Sequence, residues 1–302
     1  MVETTVSGPE DVARVLKDFR CRYDAATGTL VCEWRSGFFS QASVTLDSLI
    51  LLHRWVTRRP IRVEWRKSAW ADPEDPDGDC FGRYFRGCQG DEDVVVPDGI
   101  RVGGCNGPID GCKMDLLAPL VSRYFSPSRI VEEAREGMMR KYAIDPDGTA
   151  VLFYRGTDKV IEVPRVSPGV YLDCLRKVSG GFEPDGPRVM VQTDQKQARD
   201  FFEEEIGSRA FHVEEVPATA LDKAVWSVRD WRERFAGVAM HELAVNYLAA
   251  VLIISKCRRI VMDVGNGPVW IGLFRGGVQG ILQIRGRIEL HDHTGLDQRS
   301  RT

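Results

Sequence analysis

Leu152-Phe153-Tyr154-Arg155-Gly156-Thr157-Asp158-Lys159-Val160-Ile161-Glu162 is the stretch on which the reading of this chain turns. Apolar residues run without interruption into an Arg, a Gly that lets the backbone bend, and then Thr, Asp and Lys. A short apolar run bounded by a turn signal fits a strand buried on both faces. The polar residues then stand at its carboxyl end, where open α/β sheets take their ligands. An Arg placed there can grip a phosphate through two N–H groups, a Lys adds a point charge, and Asp158 can orient either.

On the C-terminal side the pattern predicts alternating elements. Strand Ala150–Tyr154 is followed by helix Ser167–Val178, strand Arg188–Gln192, helix Gln195–Ile206 and strand Ala210–Val213. Helix His241–Ser255, strand Arg259–Asp263, turn Val264–Pro268 and helix Val269–Phe274 come after a less regular stretch. The tail from Ile288, with His291 and His293, reads as a frayed end.

On the N-terminal side, strand Thr29–Trp34 leads through the turn Arg35–Gln41 into a helical spacing from Val44 to Trp55, then strand Pro60–Trp65. From Ser68 to Gly111 the texture is Asp, Gly, Pro and Cys, with only Asp93–Val96 strand-like. Arg129–Tyr142 is a helix, with Pro127 just ahead of it and Glu132 and Glu133 in its first turns. The turn Asp145-Pro146-Asp147-Gly148 separates the halves. The expected fold is α/β, with two doubly wound Rossmann-like domains facing across a cleft. They cover residues 1–145, with an irregular region at 68–111, and 146–302.

Other loops repeat the strand-end logic. Gly37-Phe38-Phe39-Ser40-Gln41 follows the first strand and opens a helix, Thr193-Asp194 ends the strand Arg188–Gln192, and Val264-Gly265-Asn266-Gly267-Pro268 leads from a strand into a helix. Backbone N–H groups at such helix starts favour anions.

Composition excludes several classes. The 302 residues are 43% apolar and 28% charged, ordinary for a globular chain and unlike disorder or coiled coil. A net charge of −3, from 41 Lys plus Arg against 44 Asp plus Glu, supplies no global field for a nucleic-acid backbone. Apolar runs such as Leu49–Leu52 and Leu248–Ile254 fall short of the ~20 residues that span a bilayer. The first residues carry no basic, apolar leader pattern, so a cytoplasmic location with reduced thiols is expected for the eight cysteines. Cys80, Cys88, Cys105 and Cys112 match no zinc spacing.

His241-Glu242-Leu243-Ala244-Val245 puts Val where a zincin needs its second His. The Asp-rich loop Asp72–Asp79 reads as a solvated turn, with a metal-dependent hydrolase as the alternative. No phosphate-binding Walker loop and no Gly-x-Gly-x-x-Gly follows a strand. No resident metal or cofactor is expected.

In outline the sequence resembles the fucosyltransferase-like glycosyltransferases of the GT-B fold, the group of the nodulation fucosyltransferase, the α1,6-fucosyltransferases and the protein O-fucosyltransferases. Tyr154–Val160 looks like that family's His-x-Arg-[Arg/Gly]-Thr-Asp-Lys-Val segment, and Gly37–Gln41 is similar to its first Gly-rich turn. Gln192-Thr193-Asp194-Gln195 is similar to its Ala-Thr-Asp-Asp segment. Ile254–Cys257 through Gly265-Asn266 resembles its helix end plus Thr-Ser-Ser-Asn loop.

The resemblance implies a nucleotide-sugar donor, GDP-fucose or another, held mainly by the C-terminal domain, and a glycan or protein acceptor addressed by the N-terminal one. Arg155 would hold the donor's β-phosphate without a metal, with Gly156, Thr157, Asp158 and Lys159 in support. Asp194 would face the nucleotide, and Val264, Gly265, Asn266 and Gly267 would meet the diphosphate. Glu162 is the candidate base for an inverting displacement. Two departures stand out. Phe153 occupies the place of a nucleotide-contacting His, and Ala250 that of a guanine-reading Asp. They leave a different nucleotide sugar, or a binding protein without turnover, as the alternative.

Overall fold

A computed structural model describes residues 8–33, 37–72, 74–97, 100, 109–156, 166–181, 186–218, 239–285 and 289–292. The chain divides into two compact units. One comprises residues 1–104, 115–132 and 227–245, the other 105–114, 133–226 and 246–302. The turn Asp145–Gly148 lies in the second unit, directly before its first strand.

In the first unit, α1 (Pro9–Asp18) leads into strands β1 (Cys21–Asp24) and β2 (Thr29–Cys32), then α2 (Phe38–Trp55) and β3 (Arg62–Trp65). The described sheet runs β1-β2-β3, with β2 antiparallel to β1 and parallel to β3. The predicted strand–helix–strand unit is therefore present, with α2 as the crossover that a parallel pair requires. A hairpin strand on its outer side is what sequence reading omitted. Helix α2 starts at Phe38, so Phe38–Gln41 are its first turn and not a loop, because Phe38 and Phe39 are apolar and buried there.

The irregular region contains a short helix α3 (Phe81–Tyr84), and α4 (Gly111–Tyr124) begins at its end. Asp93–Val96 does not form a strand. Val94 N–H donates to Arg58 O at 2.8 Å, a loop contact with no ladder beside it. Around α3 an edge-to-face aromatic cluster fills the core. Phe38 meets Tyr84 at 4.9 Å and Trp65 at 5.6 Å between ring centroids, and Phe81 meets Trp65 at 5.2 Å. Such pairs contribute about 0.5–1.5 kcal/mol beyond area burial.

The acidic loop is part of this framework. Asp79 accepts from Trp65 N–H and Phe81 N–H, both at 2.9 Å, and Asp72 pairs with Arg83 at 2.7 Å. Among the described residues no group of three His, Cys, Asp or Glu is placed to hold a metal ion.

The second unit follows the expected alternation closely. Helix α5 (Arg129–Lys141) enters it, and β4 (Thr149–Tyr154), α6 (Pro168–Ser179), β5 (Arg188–Thr193), α7 (Lys196–Ile206), β6 (Ala210–Phe211), α8 (Met240–Lys256), β7 (Arg259–Met262) and α9 (Asn266–Arg275) come in turn. Beyond them β8 (Ile281–Arg285) and β9 (Glu289–Asp292) complete the sheet. Residues 289–292, read as part of a frayed tail, are strand, antiparallel to β8. Apolar Ile281, Leu282 and Ile284 build a ladder position that gives the tail its partner.

The sheet order is β6-β5-β4-β7-β8-β9, with every pair parallel except the last. All six residues of β4 are buried, as an uninterrupted apolar central strand requires. Ala150, Leu152 and Tyr154 face α6 and α7, where Tyr154 stacks edge-on against Tyr171 at 4.9 Å and Phe202 at 5.6 Å. Phe153, pointing the other way, lies against Gly267 of α9. Ser167 caps α6 by accepting from Gly169 N–H, and Gly180 closes it in the left-handed conformation. Among the described residues no helix is long and apolar enough to cross a membrane.

His53 on α2 shows how tightly the first unit is bound. Its Nδ1 lies 3.1 Å from Thr57 O and its Nε2 2.8 Å from Tyr124 Oη, which in turn accepts from Ile61 N–H at 3.0 Å. A carbonyl can only accept, so Nδ1 carries the proton and Tyr124 donates to Nε2. Burial pushes the imidazole down to about 4, with the Arg123 charge acting the same way. The unfolded chain, at about 6.5, then binds a proton that the folded one refuses. Stability is full above that value and falls as pH drops toward 4, by about 2 kcal/mol at pH 5. Urea unfolding at pH 7 and pH 5 should show this loss in the native protein and its absence in His53→Gln.

Candidate functional site

The order of strands reverses direction between β4 and β7, since the chain adds β5 and β6 on one side and β7, β8 and β9 on the other. At such a switch point the loops leaving the two strands part, and a crevice opens at their carboxyl ends. Arg155 and Gly156 leave β4 there, Asp263 leaves β7, and Thr193-Asp194 leave β5 on the adjoining side.

Two carboxylates brace the end of β4. Arg155 N–H donates to Asp263 Oδ2 at 3.0 Å, and Gly156 N–H donates to Asp194 Oδ1 at 2.9 Å. The other oxygen of Asp194 lies 4.0 Å from Arg155 Nε, with both side chains about one-fifth exposed. Consecutive N–H groups at the end of a buried strand have no ladder partner and need another acceptor. Here one comes from each neighbouring strand, so the direction in which Arg155 leaves the sheet is set from both sides.

The brace is supported from below. Gln195, 3% exposed, opens α7 beside Gly156, and its backbone N–H donates to Thr193 Oγ1 at 3.2 Å. Gln283 on β8 donates from Nε2 to Asp263 O at 3.0 Å and accepts from Ile109 N–H at 2.8 Å. Gln283 is fully buried, so both ends of its amide have partners.

The loop after β7 then turns into α9. Gly265 has φ 146° and ψ −179°, a region that L side chains rarely adopt, and its carbonyl accepts the first helical bond from Val269 N–H at 3.0 Å. Val264 and Gly267 are buried, and Asn266 is half-buried at the helix start. A methyl group on Gly267 would come 2.9 Å from Tyr247 Oη and 3.3 Å from the Phe153 ring. The helix N-terminus thus lies close over the end of β4.

Of the residues expected to act, Arg155, Gly156, Asp194, Val264, Gly265, Asn266 and Gly267 are gathered at these strand ends. Phe153 precedes them as a buried ring, and Ala250 is buried in α8. Thr157, Asp158, Lys159 and Glu162 lie outside the described residues. Gly37–Gln41 belong to the first unit. There Phe38 and Phe39 serve the core and Gln41 accepts from Ser68 Oγ at 2.8 Å, which leaves Gly37 and Ser40 the more accessible of the five.

Sequence reading gave no site role to Asp263, Gln283 and Tyr247, and named Gln195 only within the Gln192–Gln195 segment. An Asp closing an apolar strand just before a Gly was the available signal for the first. The others act through contacts between distant segments.

Gly156 cannot be enlarged cheaply. A Cβ there would stand 2.1 Å from Gln195 Oε1 and 2.9 Å from Tyr154 Cε1. Gly156→Ala should cost about 1–3 kcal/mol in denaturant unfolding. Adding Gln195→Ala, which removes the obstructing amide, should restore part of that loss, giving a non-additive double-mutant cycle.

No protein-family model matches the sequence, and no curated protein matches it. Among solved structures, the fold is similar to a crystal structure of the fucosyltransferase NodZ from Bradyrhizobium. The two share 13% identity over 86% of this chain and 96% of that one, with a TM-score of 0.51. A NodZ α-1,6-fucosyltransferase structure soaked with GDP-fucose aligns with 87% of this chain and 98% of its own, at 13% identity and a TM-score of 0.47. The first of these likenesses shows that the chain shares the NodZ fold.

Proposed function

We propose that this protein is a glycosyltransferase that moves a sugar from a nucleotide-sugar donor, with GDP-fucose the foremost candidate, to a hydroxyl of a glycan or protein. The observation that carries the reading is Arg155, held at the switch point of a NodZ-like sheet by the Asp194 and Asp263 brace and followed across the crevice by the start of α9. A guanidinium and a helix N-terminus at one strand edge suit a diphosphate leaving group.

In this reading the acceptor oxygen attacks the anomeric carbon and the bond to the diphosphate breaks. Arg155 and Lys159 meet the charge that develops on the departing nucleotide, with no metal taking part. A carboxylate, Glu162 being the candidate, takes the acceptor's proton, and the configuration inverts. Thr157 and Asp158 support the phosphate site. The C-terminal domain holds the donor and the N-terminal domain addresses the acceptor, with Gly37–Gln41 on that side, as in a GT-B fold.

A donor other than GDP-fucose, or binding without turnover, has one specific observation in its favour. Phe153 and Ala250 are buried apolar residues at the two positions where the resemblance puts polar base contacts. A site that lacks a base-reading hydrogen bond discriminates among bases far less than one built around it.

Calorimetric titration with GDP, UDP and their sugars decides between these. Binding followed by transfer or slow hydrolysis of a nucleotide sugar supports the enzyme, and binding with neither supports the alternative. Arg155→Ala should abolish nucleotide-diphosphate binding while thermal unfolding stays near that of the native protein. Undiminished binding by that variant would sink the assignment of Arg155.

A further inference from the structure

The hairpin of β1 and β2 sets Cys21 directly opposite Cys32. Glu33 N–H donates to Arg20 O at 3.0 Å, the flanking bond that marks Cys21 and Cys32 as a non-hydrogen-bonded pair of the antiparallel ladder. Opposed residues at such a position have Cα atoms only about 4.5 Å apart, with side chains on one face. That spacing lies within the roughly 4.4–6.8 Å range that a disulfide spans. The two sulfurs are 3.1 Å apart, each a free thiol. Closing them to a bond takes a movement on the order of 1 Å and no change of register.

The two thiols differ in surroundings. Cys32 is completely buried, and Thr45 Oγ1 lies 3.5 Å from its sulfur. Cys21 lines a cavity of about 330 Å³ with Lys17, Arg20, Arg22, Glu33 and Lys67. Lys67 is paired with Glu33 at 3.2 Å, so Lys17, Arg20 and Arg22 give the cavity its positive sign. Hydrogen bonding to Cys32 draws the Cys21 thiol below its ordinary value, while burial drives that of Cys32 well above. Cys21, which lines the cavity, is the thiol an incoming reagent meets first, since Cys32 has no exposed surface. Cys80 and Cys257 are the opposite case, buried and pushed up to about 12.

We propose that Cys21 and Cys32 form a reversible dithiol–disulfide pair, and that the basic cavity beside Cys21 admits a small anionic disulfide as its exchange partner. The Cys21 thiolate attacks one sulfur of that molecule, its S–S bond breaks, and one small thiolate leaves. Cys32 gives up its proton and attacks the Cys21 sulfur of the mixed disulfide, releasing the second small thiolate. Two protein thiols are oxidised, one small disulfide is reduced to two thiols, and the two protein protons end on them. This site belongs to the first unit and does not depend on the glycosyltransferase reading.

The test uses the full chain incubated with glutathione disulfide at neutral pH, quenched in acid and mapped by mass spectrometry. The expected product is a Cys21–Cys32 cross-linked peptide that dithiothreitol reverses. Cys32→Ser should stop at a glutathione adduct on Cys21, and Cys21→Ser should leave Cys32 unmodified. In the Cys32→Ser background, Lys17→Glu with Arg22→Glu, both on exposed positions, should slow the adduct about tenfold with glutathione disulfide and speed it with the cationic disulfide cystamine. Absence of the cross-link, or adducts in Cys32→Ser that favour exposed Cys112 over Cys21, overturns the dithiol pair. Equal response to the two reagents overturns the cavity as the entry site.

Discussion

Two consecutive peptide N–H groups at the end of β4, each held by a carboxylate from a different neighbouring strand, are the constraint around which the second unit is organised. Strand β4 is central and buried along its whole length, so its backbone cannot turn to water where the ladder ends. Asp263 and Asp194 take the Arg155 and Gly156 N–H groups. Hydrogen bonds to charged acceptors contribute about 1.5–3 kcal/mol each. The same bonds hold β5, β4 and β7 level at the edge where the loops emerge, and the Gln283 amide extends the tie to β8. A sheet braced in this way can present one Arg in a defined direction, which a loop alone would leave free.

The brace also sets the charge that a ligand meets. Asp194 stands beside the Arg155 guanidinium and Asp263 holds the Arg155 backbone, so this part of the site does not by itself attract a diphosphate. Further positive potential must come from elsewhere, and in the proposed reading it comes from Lys159 and the α9 N-terminus. In that reading a chain of net charge −3 holds an anion-binding site. What matters is a few donors at strand ends, and the overall sum of charges conceals them.

The second unit was legible from sequence because its elements are long, periodic and separated by Gly, Pro and Asp turns. β4, α6, β5, α7, α8 and β7 follow from their apolar spacing with ends shifted by one or two residues. Arg155, Asp194, Gly265 and Asn266 followed from standing just beyond strands. Gln283 did not, since a Gln inside Ile281–Arg285 looks like a flaw in the pattern until Ile109 and Asp263 are brought to it. The first unit was less legible. Its core is made by Phe38, Trp65, Trp70, Phe81, Tyr84 and Phe85, which meet from segments far apart in the chain. The Asp-rich loop looked solvated, yet Asp79 is drawn inward to bind the Trp65 and Phe81 N–H groups, and burial raises its carboxyl above the usual range.

Packing around Phe153 bears on how a nucleotide base would be chosen. Gly267 lies so close to the Phe153 ring and the Tyr247 hydroxyl that even a methyl group would press on both. A polar side chain in place of Phe153 would enter this contact with its hydrogen-bonding atoms stripped of water, at a cost of about 1–3 kcal/mol unless a partner were supplied. An aromatic ring avoids that penalty and lets α9 settle directly onto β4. Gly267, in the first turn of α9, is thereby seated against Phe153, two residues before Arg155. In the proposed reading, discrimination among bases therefore falls to groups other than positions 153 and 250.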